Sequence, residues 1–183
     1  MTTPNPDWIE GDIHFDFSKA RSVLSLDHHG RGHGLNRLMK AVDFVVEWED
    51  AFWLVEVKDP DQSKIPSQHR DTQQSDFLEK MRSRSLIHAE LFPKFIDSLI
   101  YLGLDRGIPA KPLRYLTLIG MTGLDPSYFT NLSAALLQHH DGCLRGPQPN
   151  GWAKGFSAHL FNLELWNRKF PDCPVTRVGI GRD

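Results

Sequence analysis

The stretch AVDFVVEWEDAFWLVEVK, residues 41–58, decides how this chain is read. Two apolar runs, AVDFVVEW (41–48) and FWLVEVK (52–58), flank a short polar break. A hairpin turn centred between Glu49 and Asp50 pairs Trp48 with Ala51, Glu47 with Phe52 and Asp43 with Glu56. Side chains alternate between the two faces of a strand. One face then carries Val42, Phe44, Val46, Trp48, Trp53, Val55 and Val57, an apolar set that should pack on helices. The other carries Asp43, Val45, Glu47, Phe52, Leu54, Glu56 and Lys58. Two carboxylates and an ammonium therefore meet at the far end of one face.

Like charges directly opposite each other destabilise a sheet unless something positive lies between them. A divalent cation that prefers oxygen ligands, Mg²⁺ or Mn²⁺, suits such a pair. Lys58, two residues beyond Glu56 on the same face, could reach a phosphate. Metal and ammonium together are equipment for stabilising the charge of a phosphoryl transition state. The plainer alternative is a solvated sheet face on which Lys58 pairs with a neighbouring acid; Val45, Phe52 and Leu54 on that face argue for partial cover.

Asp43 followed by Glu56-Val57-Lys58 resembles the core motif of the PD-(D/E)XK nuclease superfamily, in which the aspartate begins one strand and the (D/E)xK triplet ends the next. The resemblance implies that Asp43 and Glu56 bind Mg²⁺ or Mn²⁺ with the Val57 carbonyl, and that Lys58 is catalytic with the two acids. It also implies nucleic acid as substrate and a chain that continues through a helix to another strand. Val42 stands where the motif has proline. The family's first-helix glutamate has no clear counterpart, with Glu10, Asp12, Asp16 and Asp27 as weak substitutes. AVDFVVEWEDAFWLVEVKDP and the later FPKFIDSLIYL are also similar to a group of small bacterial proteins, a likeness that names no activity.

Outward from the motif, IHFDF (13–17) alternates like a half-buried strand, and SVLSL (22–26) reads as its hairpin partner. DHHGRGHG is a glycine-marked loop, and residues 35–40 suggest a helical turn. Apolar positions at helical spacing span 73–104, with Pro93 expected to kink or divide the helix and Gly103 and Gly107 to end it. LRYLTLIGM (113–121) is a buried strand. Asp125-Pro126 opens a helix to about His140. Residues 141–156 read as a loop, SAHLFNLELW (157–166) as a last strand and Val175–Val178 as a short one. The expectation is one α/β domain over 1–183: a restriction-endonuclease-like mixed sheet flanked by helices, with an extra N-terminal β-hairpin.

At 183 residues, 40% hydrophobic and 24% charged, the chain can bury a core. Its net charge of −2 counts against a tight, non-specific nucleic-acid binder. Cys143 and Cys173 suit neither a disulfide framework nor a thiolate metal site, and read as thiols of a reducing compartment. MTTPNPDWIEGD lacks the features of a signal peptide, and no apolar run approaches the roughly 18 residues of a membrane span. The expectation is a cytoplasmic protein without membrane contact.

Further candidates are weaker. Lys40, with Arg37 and Arg31, could contact phosphates. Glu47 could serve a second metal or the substrate, although a solvated carboxylate explains it. His33, with Asp27, His28 and His29, could hold a transition metal or reach the substrate, although a histidine-rich loop needs neither. Lys80, Arg82 and Arg84 could form a basic stripe. Specificity would come from the N-terminal hairpin, the 141–156 loop, a homodimer or a partner protein. The competing class is a nuclease-like scaffold without catalysis, acting as a protein-interaction or regulatory module; a third is nucleic-acid binding without cleavage.

Overall fold

The computed structural model describes residues 5–26, 39–144 and 155–178. His33, its neighbours Asp27, His28, His29, Arg31 and Arg37, and most of the expected turn at 35–40 lie outside these residues, as do residues 145–154 of the expected loop.

The chain is mixed α/β. Strands β1 (Ile9–Glu10), β2 (Ile13–Phe15), β3 (Ser22–Ser25), β4 (Phe44–Glu47) and β5 (Phe52–Lys58) precede helix α1 (Ser67–Arg82). A π-helical segment (Leu86–Leu91) leads into α2 (Phe92–Asp105), followed by β6 (Leu113–Ile119) and α3 (Pro126–Leu144). Then come β7 (Phe156–Phe161), α4 (Leu163–Lys169) and β8 (Val175–Arg177). Five strands form one sheet in the order β3-β4-β5-β6-β7, and three form another in the order β1-β2-β8. In the larger sheet β3, β4 and β5 are antiparallel, whereas β6 and β7 continue it in parallel.

The hairpin forms in the expected register. Phe44 pairs with Val55, Val45 with Leu54, Val46 with Trp53 and Glu47 with Phe52. The alternating apolar positions fix that register, because a slip of one residue would turn every buried side chain to the other face. β4 is shorter than the 41–48 run: it begins at Phe44, and at Val42 the backbone N–H donates to Ser98 Oγ at 2.9 Å instead of pairing along the sheet.

Both faces of the larger sheet are covered, but not as their composition suggests. The apolar face (Phe44, Val46, Trp53, Val55, Val57) packs on Ile13, Phe15 and Val175 of the small sheet, on Phe17, and on Trp166 and Phe170 around α4. Phe15 lies 5.3 Å from Phe44 and Trp53 4.6 Å from Phe170, ring centre to ring centre. The face bearing Asp43 and Glu56 is the one roofed by α1, the π-helical segment, α2 and α3, through Phe77, Met81, Leu86, Leu91, Phe95 and Phe129. Val42 belongs to this second core, away from the apolar face assigned to it above.

Four further expectations need correction. IHFDF and SVLSL do not pair with each other, since β2 joins β1 and β8 while β3 joins β4. Short apolar runs specify a face but not a partner. The helical stretch breaks before Pro93, at residues 83–85, where Arg84 takes a left-handed φ of 61° and Ser83 Oγ donates to the Glu79 carbonyl at 2.8 Å. Pro93 lies in the first turn of α2, where its missing N–H is tolerated. The last predicted strand stops at Phe161, because Asn162 Oδ1 accepts from Leu165 N at 2.8 Å and caps α4. Finally, α3 runs on to Leu144, beyond the expected end near His140.

Candidate functional site: a buried cluster of acids and lysines

Asp43 stands just ahead of β4 and Glu56 near the end of β5, both on the helix-covered face. Asp43 is 4% exposed and Glu56 0%, so neither is a solvated surface group. Their carboxylates converge on one ammonium: Lys94 Nζ lies 2.8 Å from Glu56 Oε1 and 3.7 Å from Asp43 Oδ1. Lys58, the last residue of β5, places its Nζ 3.1 Å from Glu56 Oε1 and 2.8 Å from Glu90 Oε2. Glu90 in turn contacts Lys80 at 2.9 Å. Three acids and three amines thus form one chain of ion pairs between the sheet and its helical roof.

The backbone holds the acids in place. Val57 donates its N–H to Asp43 Oδ2 at 2.6 Å, so the aspartate replaces the strand partner that β4 does not supply there. The Lys58 carbonyl, one residue on, accepts from Gly120 N on the β6 side. By strand alternation the Val57 carbonyl therefore faces the Asp43 side. Thr117 is the cross-strand neighbour of Glu56 on β6 and is likewise fully buried. Tyr115 donates its hydroxyl to the Leu91 carbonyl at 2.8 Å.

Burial, together with the Glu56 charge, holds the Asp43 carboxyl well above the usual carboxylate range. Burial works against the Lys58 ammonium, but Glu56 and Glu90 outweigh it, so its pKa is raised and the group stays charged. Burial also opposes ionisation of Glu90, yet the hydrogen bonds from Lys58 and Lys80 prevail and its pKa is lowered. Cys173 is buried in the aromatic core and its thiol is pushed up to about 12, far from nucleophilic use.

An open groove of about 420 Å³ reaches the cluster from outside. Lys58, Asp59 and Pro60 form one wall, Gln73, Asp76, Phe77 and Lys80 of α1 the other, with Glu90 also lining it. Lys58 and Glu90 are thus the members that link the groove to the buried acids.

No family model, curated protein or solved structure matches this chain.

Of the residues singled out in the sequence, Asp43, Glu56, Val57 and Lys58 come together at one end of the sheet. Glu47 does not join them: it lies at the turn end of the hairpin, where its carboxylate contacts Lys111 Nζ at 2.6 Å. Lys40 is tied to the helical roof, its backbone N–H donating to Asp97 Oδ2 at 2.8 Å and its Nζ to the Ala89 carbonyl at 3.0 Å. Lys94 and Glu90 were missed. Their signal was a lone basic and a lone acidic residue inside the otherwise apolar FPKF and AEL stretches, a setting in which charge must find a partner.

The donor set suits a hard cation. It offers two carboxylates and a backbone carbonyl, and Glu56 Oε2 is buried without a hydrogen-bond partner. Among the described residues no three His, Cys, Asp or Glu side chains cluster as metal ligands, so two side chains would carry the site.

Proposed function

We propose that this protein is a metal-dependent nuclease that hydrolyses phosphodiester bonds in DNA or RNA, with a restriction-endonuclease-like fold. The observation that carries the reading is Glu56: a fully buried carboxylate with one unpartnered oxygen, beside Asp43 and next to a charged lysine. Burying two acids together is costly, and a fold with no use for them would replace them by apolar residues. The order of elements supports the same reading. The aspartate precedes one strand, Glu56-Val57-Lys58 ends its antiparallel neighbour, and helices lead from there to the parallel strand β6.

In this reading Asp43, Glu56 and the Val57 carbonyl hold Mg²⁺ or Mn²⁺. The ion would supply Lewis-acid polarisation of the phosphoryl group and lower the pKa of water bound to it. The chain's own residues do the rest. Lys58, fixed between Glu56 and Glu90, presents a permanent positive charge at the groove, where non-bridging phosphate oxygens gain charge as the ester bond breaks. Lys80 adds a second ammonium to the groove from α1, where Asp59, Asp76 and Glu90 also line it. The roof of Phe77, Met81 and Phe95 keeps bulk water from the acids, which strengthens each electrostatic contact.

The test is a cleavage assay over mixed single- and double-stranded DNA and RNA with Mn²⁺ or Mg²⁺. Lys58→Ala should lose at least about 100-fold in rate, the scale of removing one transition-state charge contact. Equal cleavage by wild type and variant would remove the reading.

One observation favours a second reading, a non-catalytic nuclease-like scaffold that serves as a protein-interaction or regulatory module. The Lys94 ammonium lies between the two carboxylates and balances them without any metal. A scaffold of this kind gains no thermal stability from Mn²⁺, whereas a nuclease gains it and loses the gain on Asp43→Ala.

A further inference from the structure

We infer that Lys94 is the site's own counter-ion and that its ammonium is displaced from between Asp43 and Glu56 when a divalent cation binds, so that Lys94 sets the affinity for the metal. The inference rests on the reading of Asp43 and Glu56 as cation ligands.

Lys94 Nζ occupies the point on which the two carboxylates converge, 2.8 Å from Glu56 and 3.7 Å from Asp43. A small cation sharing those carboxylates would need the same point. The two positive charges cannot share it, because their repulsion grows as solvent is excluded. One of the partners must therefore move. Asp43 is pinned by the Val57 N–H and Glu56 by a fully buried strand. Lys58 contacts Glu56 and Glu90, so moving it would leave the Lys94 ammonium between Asp43 and Glu56.

Lys94 is the member able to leave. It stands in the first turn of α2, and its side chain is 17% exposed, which leaves the four-carbon stem a way outward. Its backbone stays in place meanwhile, because the Lys94 carbonyl accepts from Ser98 Oγ at 2.7 Å. Charge balance points the same way. Three acids, Asp43, Glu56 and Glu90, are matched by three amines, Lys58, Lys80 and Lys94, so an added dication is better tolerated once one ammonium has moved into water. The lysine keeps the acids compatible with folding while the cation is absent.

Two measurements on the full chain test this. The first labels wild type with an acetylating reagent, with and without saturating Mn²⁺, and reads Lys94 by mass spectrometry. Lys94 should react several-fold faster with Mn²⁺. Lys111, ion-paired to Glu47 at the other end of the hairpin, should not change. The second titrates Mn²⁺ calorimetrically into wild type and Lys94→Met, and the variant should bind about tenfold more tightly. If the variant does not fold, the labelling of wild type decides alone. Mn²⁺ binding with unchanged or slower Lys94 labelling overturns the displacement and leaves the cation site standing. Absence of Mn²⁺ binding to wild type and to a folded Lys94→Met overturns the cation site itself, with Lys94 then a permanent ion-pair partner.

Discussion

At the scale of single residues, Asp43 carries the sharpest conflict. Its carboxylate is buried beside Glu56, and burial is the larger of the two reasons its pKa is raised. Burial and the neighbouring Glu56 disfavour the charged form of this carboxyl in the folded chain, a penalty absent from the unfolded one. Asp43→Asn removes the charge and keeps an oxygen to accept the Val57 N–H. The expected outcome in metal-free buffer is a gain of about 1 kcal/mol, the upper end of what relieving opposed like charges returns, since Glu56 lies beside it. That corresponds to a rise in Tm of roughly 2–4 °C for a chain of this size, read by calorimetry with chelator present. The same variant should lose any stabilisation by Mn²⁺. A lower Tm without metal would show that the Asp43 charge supports the fold and does not tax it. Lys58, adjacent in space, poses no such conflict, since two carboxylates keep it protonated.

At the scale of elements, the roof and the sheet are joined by Glu90. The π-helical segment widens the chain before α2 and sets Glu90 where it meets Lys58 of β5 and Lys80 of α1 together. The lowered pKa of Glu90 gives this contact a definite pH dependence. A group depressed in the folded state contributes stability above its unfolded pKa and loses it as pH falls through the folded value. Wild type should therefore exceed Glu90→Gln in urea midpoint at pH 7, and the gap should close on titration below the ordinary glutamate value of 4.5. A gap that persists unchanged at pH 3 would mean that Glu90 acts by packing and not by charge. The element boundaries themselves follow local chemistry. Ser83 and the left-handed Arg84 end α1, the Asn162 side chain starts α4, and Gly107, at a φ of 78°, donates its N–H to the Leu102 carbonyl to close α2.

At the scale of the whole molecule, the two sheets are bound beside the candidate site through Arg177 of β8. Its guanidinium meets Asp59 with two hydrogen bonds of 2.8 and 2.9 Å and donates to the Gly120 carbonyl at 2.6 Å. Asp59 directly follows Lys58, so the pairing fixes the end of β5 as well as the edge of the small sheet. Gly120 is required for this approach, because a Cβ there would overlap the Asp59 carboxylate. Asp12 joins through Ser63, whose hydroxyl donates to it at 2.9 Å. Arg177→Ala leaves the buried Asp59 without its guanidinium and should cost about 2–3 kcal/mol, measured by urea denaturation. A loss below 0.5 kcal/mol, in the range of an exposed pair, would show that water replaces the guanidinium without penalty.

Much of the hairpin was legible in the residues alone, and the physical reason is local. Period-two alternation over Phe44–Glu47 and Phe52–Lys58 fixes register and face, and Asp43, one residue ahead of β4, reaches Val57 N–H, so the meeting of Asp43, Glu56 and Lys58 follows from neighbouring stretches of chain. The start of α4 is also local, set by the Asn162 side chain with Glu164 in the first turn, but the apolar residues on either side of it give the stretch the pattern of a continuous strand. Tertiary structure alone decided the rest. Which sheet β2 joined, which face the helices covered and which distant side chains completed the cluster depend on packing between segments far apart in sequence. An apolar stripe accepts any surface that excludes water from it, so its pattern cannot name its partner. Lys94 shows the same limit for charge: its sequence setting demanded a counter-ion, and only the seating of α2 over β5 determined that the counter-ions would be Glu56 and Asp43.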